Sequence, residues 1–266
     1  MITEIETLRD PSLHIWGWQI AVYLFLGGMA AGVMVLASLL RGRSRAARWM
    51  IFIAPLALSI GMNALFLDLA NKLHVFRFYT AFRLTSPMSW GSWILLLIYP
   101  ATILYGLRPT ELLRKLNLGL GIALGAYTGI LLGTLTARAA WSSLFLAPLF
   151  LASGISAGAA IALLLPLDES ERDTIRRWDL LAIGVEAVVL ALFFLDLKRG
   201  AASLFFGGPY TAVFWSIVVI AGLAVPAALE VIESKRRIHL AIAPALVLIG
   251  GLALRWILVL AGQTAV

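Results

Sequence analysis

The sequence predicts an all-α integral membrane protein: eight transmembrane helices arranged as two pseudo-symmetric four-helix bundles. Three observations lead there. Of 266 residues, 61% are hydrophobic and only 13% are charged. That is about half the charge of an ordinary soluble domain, and more apolar side chain than one water-soluble core of this size can hide. The apolar residues fall into eight runs of roughly the 20 residues that a spanning helix needs. Landmarks of the first four runs also recur, in order, in the last four.

In chain order the runs cover about 14–40, 49–71, 89–107, 116–136, 143–166, 177–198, 210–232 and 239–261. The first carries Gly28 and Gly32 at the small-xxx-small spacing that lets helix backbones approach in lipid, and the fifth carries Gly154 and Gly158 at the same spacing. The second ends on Leu67-Asp68-Leu69 and the sixth on Leu195-Asp196-Leu197. The third holds Pro100 and the seventh Pro226. These landmarks repeat at offsets of 126 to 128 residues. Four helices per repeat is an even number, so equivalent helices run the same way, which implies bundles at 1–140 and 141–266 related by an axis along the membrane normal. The four glycines are read as packing residues.

The loops fix the expected orientation. Those after the odd-numbered runs hold thirteen Lys and Arg residues, those on the opposite side seven, and Arg255 lies within the eighth run. Positive-inside bias then places both termini outside a prokaryotic cytoplasmic membrane. The first twelve residues carry Glu4, Glu6 and Asp10 and do not resemble the basic start of a signal peptide. The longest outer stretch, Lys72 to Ser89, alternates Phe76, Phe78, Tyr79 and Phe82 with Arg77 and Arg83, suiting an element that lies in the interface. Ser86-Pro87 reads as a helix start.

The chain has no cysteine, so iron–sulfur ligation and thiolate chemistry are excluded within it. A bis-histidine haem needs two histidines at one depth. His14 and His74 flank the outer interface and His239 lies on the other side, so no haem is expected.

Charges at membrane depth are costly and mark candidate sites. Asp68 and Asp196 fall near the outer face, and Arg255 lies at a similar depth in the eighth run. These three are read either as charge compensation, a carboxylate neutralising the arginine, or as proton-handling groups. Glu186, near mid-depth, has no partner evident in the sequence. It is either a proton relay or a neutral acid bonded to a neighbouring helix. The repeat offset places Tyr127 and Arg255 at equivalent points of the two halves.

The motifs Trp16-Gly17-Trp18, Leu24-Phe25-Leu26-Gly27-Gly28, Thr85-Ser86-Pro87-Met88-Ser89-Trp90-Gly91, Ala126-Tyr127-Thr128-Gly129 and Leu260-Ala261-Gly262-Gln263 resemble those of the NrfD/PsrC family. Its members are membrane subunits of polysulfide-reductase-type complexes. The resemblance runs from the first span to the last. It implies a haem-free subunit that binds a quinone, menaquinone or ubiquinone, and exchanges electrons with an iron–sulfur subunit. It also implies a molybdopterin catalytic subunit, both partners docked on the outer face. The family's pocket uses polar groups of the first span and a tyrosine. Tyr127 matches that tyrosine, with His14 and Gln19 as polar groups, Trp18 as a ring wall, and Asp68 and Arg138 nearby. Tyr127 and Asp68 are thus the expected catalytic pair, and Glu186, Asp196 and Arg255 the expected proton-transfer groups. The rival from another class is a small secondary transporter built from two parallel repeats. Such transporters have helices broken at the midplane, whereas Pro55, Pro148 and Pro244 fall in first turns, where proline is harmless.

Overall fold

The computed structural model describes residues 16–41, 45–69, 87–135, 138–236 and 241–264, and among these every regular element is helical. Eight helices are long and apolar enough to cross a membrane. They are α1 (Trp18–Leu40), α2 (Arg48–Asp68), α3 (Ser89–Leu107), α4 (Glu111–Gly133), α5 (Leu146–Leu163), α6 (Glu169–Asp196), α7 (Thr211–Glu233) and α8 (Ile242–Gln263). Where the connection is short, as between α3 and α4 or α5 and α6, successive helices are antiparallel. One end of the molecule, the basic end, carries the loops after α1, α3, α5 and α7; the other is the terminal end. His14, His74, His239 and the aromatic–arginine stretch from Phe76 to Arg83 lie outside the described residues.

Local sequence explains where the helices start and stop. The described part of the third helix runs from Pro87 to Leu107, and Ser86 lies outside the described residues. The Thr110 hydroxyl accepts from the Leu113 N–H at 3.3 Å, capping α4 with Glu111 in its first turn. Asp168 precedes α6, which opens with Glu169 and Glu171 against its positive pole. At the end of α5, the Arg172 guanidinium donates to the Leu163 and Leu165 carbonyls at 2.8 and 3.0 Å, satisfying groups that the helix leaves orphaned.

Two helices begin earlier than the apolar runs predict. α4 starts at Glu111 rather than about 116, and α6 at Glu169 rather than about 177. Polar opening turns hide them from a hydropathy reading, yet in α6 the polar residues turn inward: Glu171, Arg176 and Asp179 are all buried. The seventh helix also departs from expectation. Its segment Phe214–Ala224 is π-helical and gives way to Val225–Arg236, with Pro226 just past the junction. The Val225 N–H donates to the Ile220 carbonyl, five residues back. Proline breaks the ordinary ladder, and wide turns of this kind gather where the ladder is disturbed. Pro55, Pro148 and Pro244 do sit in first turns of regular helix.

The core lies along α1, whose described residues are mostly buried while the peripheral helices turn large apolar side chains outward. In the first half, α1 packs on α2 and α4, α3 on α4, and α2 on α3; in the second, α5 packs on α6 and α8, α7 on α8, and α6 on α7. The halves meet where α1 crosses α5. Gly28 faces Gly154 and Gly32 faces Gly154 and Gly158, so closely that a Cβ on Gly32 or Gly158 would strike the opposing backbone. The packing role read for these four glycines is theirs. Gly222 and Gly250 make a similar backbone crossing between α7 and α8.

Candidate functional site

Near the terminal end of the first half, α1 to α4 enclose a cavity of about 420 Å³. That is the scale of an ordinary small-molecule site. Most of its wall is apolar: Ile20, Met62, Leu65, Leu95, Leu131 and Leu132. Polar groups come from each helix: Tyr23 from α1, Asn63 and Asp68 from α2, Ser92 from α3 and Tyr127 from α4.

Tyr127 is buried, and the fold makes room for it. A Cβ at Gly91 would overlap the Tyr127 hydroxyl and ring, so only glycine lets α3 pass this side chain. Ser92, next along the chain, is buried and donates to the Ser89 carbonyl at 2.8 Å. The Thr-Ser-Pro-Met-Ser-Trp-Gly block thus ends in residues that shape the cavity.

Trp16 closes another side. Its indole stacks on Trp141 with ring centroids 5.0 Å apart. Gln263, at the end of α8, clamps the Trp16 backbone from both directions: the Trp16 N–H donates to Gln263 Oε1 at 2.7 Å, and Gln263 Nε2 donates to the Trp16 carbonyl at 2.9 Å. Trp141 is anchored by its indole N–H to the Leu258 carbonyl at 2.7 Å and lies where any Cβ on Gly262 would be. The Gly262-Gln263 pair therefore positions both tryptophans.

The structure brings together Tyr127 and Asp68 out of the residues singled out by sequence. Trp18 and Gln19 do not line the cavity. Trp18 is exposed and Gln19 half-buried, and the tryptophan that lines the cavity is Trp16, with Ile20 and Tyr23 at helical spacing behind it. Arg138 lies outside the lining and approaches the Gln263 carbonyl at 3.5 Å. His14 is outside the described residues.

Helices α5 to α8 carry a different set of polar groups. Arg255 of α8 is fully buried, donating to Ser153 Oγ at 2.5 Å, to the Gly251 carbonyl at 3.2 Å and to the Phe150 carbonyl at 3.2 Å, with its guanidinium 5.1 Å from the Phe150 ring centre. Glu186 lies near enough to interact with both Ser153 and Arg255. Glu186, which had no evident partner along the sequence, is partnered by Arg255 by way of one serine. Asp196 is no neighbour of that arginine. It is exposed and accepts from the Leu144 N–H at 3.2 Å, holding the loop ahead of α5.

Four further charged residues escaped the sequence reading. Arg176, Asp179, Glu230 and Glu233 are buried where α6 meets α7 at the basic end. Arg176 pairs with Glu233 at 3.4 Å, and the Ser156 hydroxyl donates to Asp179 at 2.6 Å. Their signal was carboxyls three residues apart in α7 opposite a carboxyl and an arginine three apart in α6, all at the ends of apolar runs.

Compared with protein families, the sequence matches polysulphide reductase, NrfD, over residues 7–115 and again over 107–266. The chain belongs to the NrfD family. Across 98% of its own length and 98% of the other's it is 29% identical to the C subunit of polysulfide reductase from Wolinella succinogenes. It is 30% identical to protein NrfD of Escherichia coli strain K12 over the whole of both proteins. A third relative, the protein NrfD homolog of Haemophilus influenzae, is 25% identical over 97% of each. Family membership and eight spanning helices together make this a multi-pass NrfD-type membrane protein.

Proposed function

We propose that this protein is the quinone-reactive membrane subunit of a respiratory oxidoreductase. Its first-half cavity holds the quinone head group, and an iron–sulfur subunit docks on the terminal end, relaying electrons to or from a molybdopterin catalytic subunit. The single observation that carries the reading is the meeting of Tyr127 and Asp68 in one mostly apolar cavity near that end. The family and the name of the Wolinella relative support it.

The donor set fits a quinone head. A flat apolar ring needs apolar walls and hydrogen-bond donors at its two carbonyl oxygens, and the cavity offers Ile20, Leu95 and Leu132 beside the Tyr127 hydroxyl and the Asn63 amide. When bound, the quinone supplies the redox chemistry that a protein without cysteine lacks, taking up or releasing two electrons and two protons. Tyr127 Oη donates to a carbonyl oxygen and orients the ring. Asp68, half-buried at the end of α2, exchanges protons between the cavity and the terminal side. Trp16 and Trp141 exclude water.

In the whole complex, Tyr127→Phe keeps assembly and lowers quinol turnover tenfold or more, a transition-state loss of about 1.4 kcal/mol. Unchanged steady-state quinol kinetics, or a native complex that purifies without any iron–sulfur protein, overturns the assignment.

A further inference from the structure

Asp179 of α6 and Glu230 of α7 are each 0% exposed, and their carboxyl groups lie within hydrogen-bonding reach of each other. Both Glu230 oxygens and Asp179 Oδ2 find no donor in their surroundings. Two carboxylates have only acceptor atoms, so they can neither satisfy one another nor tolerate the contact in a dry interior. A proton between them supplies the missing donor and removes one of two like charges.

The charge balance of the surroundings agrees. The charged groups facing the pair are Arg176 and, two turns along, Glu186 on α6, and Glu233 one turn along α7. Arg176 is taken by Glu233, at 3.4 Å. Arg176 attracts Glu230 at longer range, but among the described residues no cation forms an ion pair with Asp179 or Glu230. From α5, Ser156 donates one hydrogen bond to Asp179 Oδ1, which leaves the other oxygen unsupplied.

We propose that Asp179 and Glu230 share one proton and form a proton-binding site at the basic end of the second half. Its ligand is the proton itself. Arg176 connects the site to the surface, since it also reaches the exposed Asp173 at 3.5 Å. On the other side, Asp179 and Glu186 lie seven residues apart on one face of α6, about 10 Å along the axis. Ser156 and Ser153, one turn apart on α5, face these two carboxyls in the same order. The site therefore stands between the basic surface and the Glu186–Ser153–Arg255 group. It does not rest on the quinone reading, and the quinone cavity lies in the other half.

The test is infrared difference spectroscopy on the full-length protein in lipid, with no quinone added, as pH is stepped in H₂O and D₂O. A protonated-carboxyl band that shifts in D₂O is expected, persisting in Glu186→Gln and lost in both Asp179→Asn and Glu230→Gln. Glu230→Gln should fold normally, because its amide supplies the donor that the proton provided. A wild-type protein without such a band overturns the proposal, as does a band that survives both site variants. Should either variant fail to fold, the Glu186→Gln spectrum decides: a band absent there belonged to Glu186 and sinks the shared proton.

Discussion

Gly91 and Ser153 each hold a buried polar side chain in place. A methyl group at Gly91 collides with Tyr127, so Gly91→Ala should displace the tyrosine and weaken quinone binding. Gly119, with nothing within 4 Å of an added Cβ, should accept alanine without change. Fluorescence-quench titration with a quinone analogue compares the two, and equal affinities would break the link between Gly91 and the cavity. Ser153→Ala removes the bridge between Arg255 and Glu186 and strands buried polar atoms. Thermal unfolding in detergent should show a loss of about 1–3 kcal/mol. Asp68 was legible in the sequence because a charge in a spanning run stands out, and Tyr127 through the resemblance carried by its Ala-Tyr-Thr-Gly segment. Trp16 was not: one step along a helix turns a side chain by about 100°, and hydropathy cannot tell which of two neighbouring tryptophans faces inward. The Asp179–Glu230 pair was hidden differently, since charges at the end of an apolar run look solvated until the neighbouring helix is placed.

Helix crossings concentrate at glycines, and their energetics are local. Gly32 and Gly158 meet backbone to backbone, so Gly32→Ala should overpack the α1–α5 crossing and cost about 1–3 kcal/mol. Gly184→Ala, in open space on α6, should cost nothing measurable. Equal melting temperatures for the two variants would show that the crossing has slack. At the basic end of the first half, Asn117 ties α4 to α1 and α3. Its amide donates to the Met34 carbonyl at 3.0 Å and Ser38 Oγ at 2.9 Å, while its oxygen accepts from Thr102 at 3.0 Å. Helix number and most boundaries followed from apolar run length. The early starts of α4 and α6 and the π-helical stretch of α7 did not, because polar turns and ladder geometry leave no trace in hydropathy.

Across the whole molecule, the two halves repeat their helix neighbours but not their polar chemistry. The first encloses the Tyr127–Asp68 cavity, whereas the second fills its interior with Arg255, Glu186 and the carboxyl pair. If the cavity takes a quinone as proposed, redox binding and the buried charges occupy separate places. Orientation is testable directly, because the protein has no cysteine of its own. Pro109→Cys, in the exposed loop after α3, should react with a membrane-impermeant maleimide only after the cells are opened. Leu144→Cys, 86% exposed at the terminal end, should react on intact spheroplasts. The reverse pattern would invert the assignment drawn from the basic loops.

The Gln263 clamp on Trp16 bears on biogenesis. A partner 247 positions away finishes one wall of a cavity otherwise built by the first four helices. A nascent polypeptide can therefore thread those helices through the insertion machinery and still lack a closed chamber. Maturation of the chamber waits for the last segment to arrive, so a ribosome-stalled intermediate without it should leave the chamber open to water.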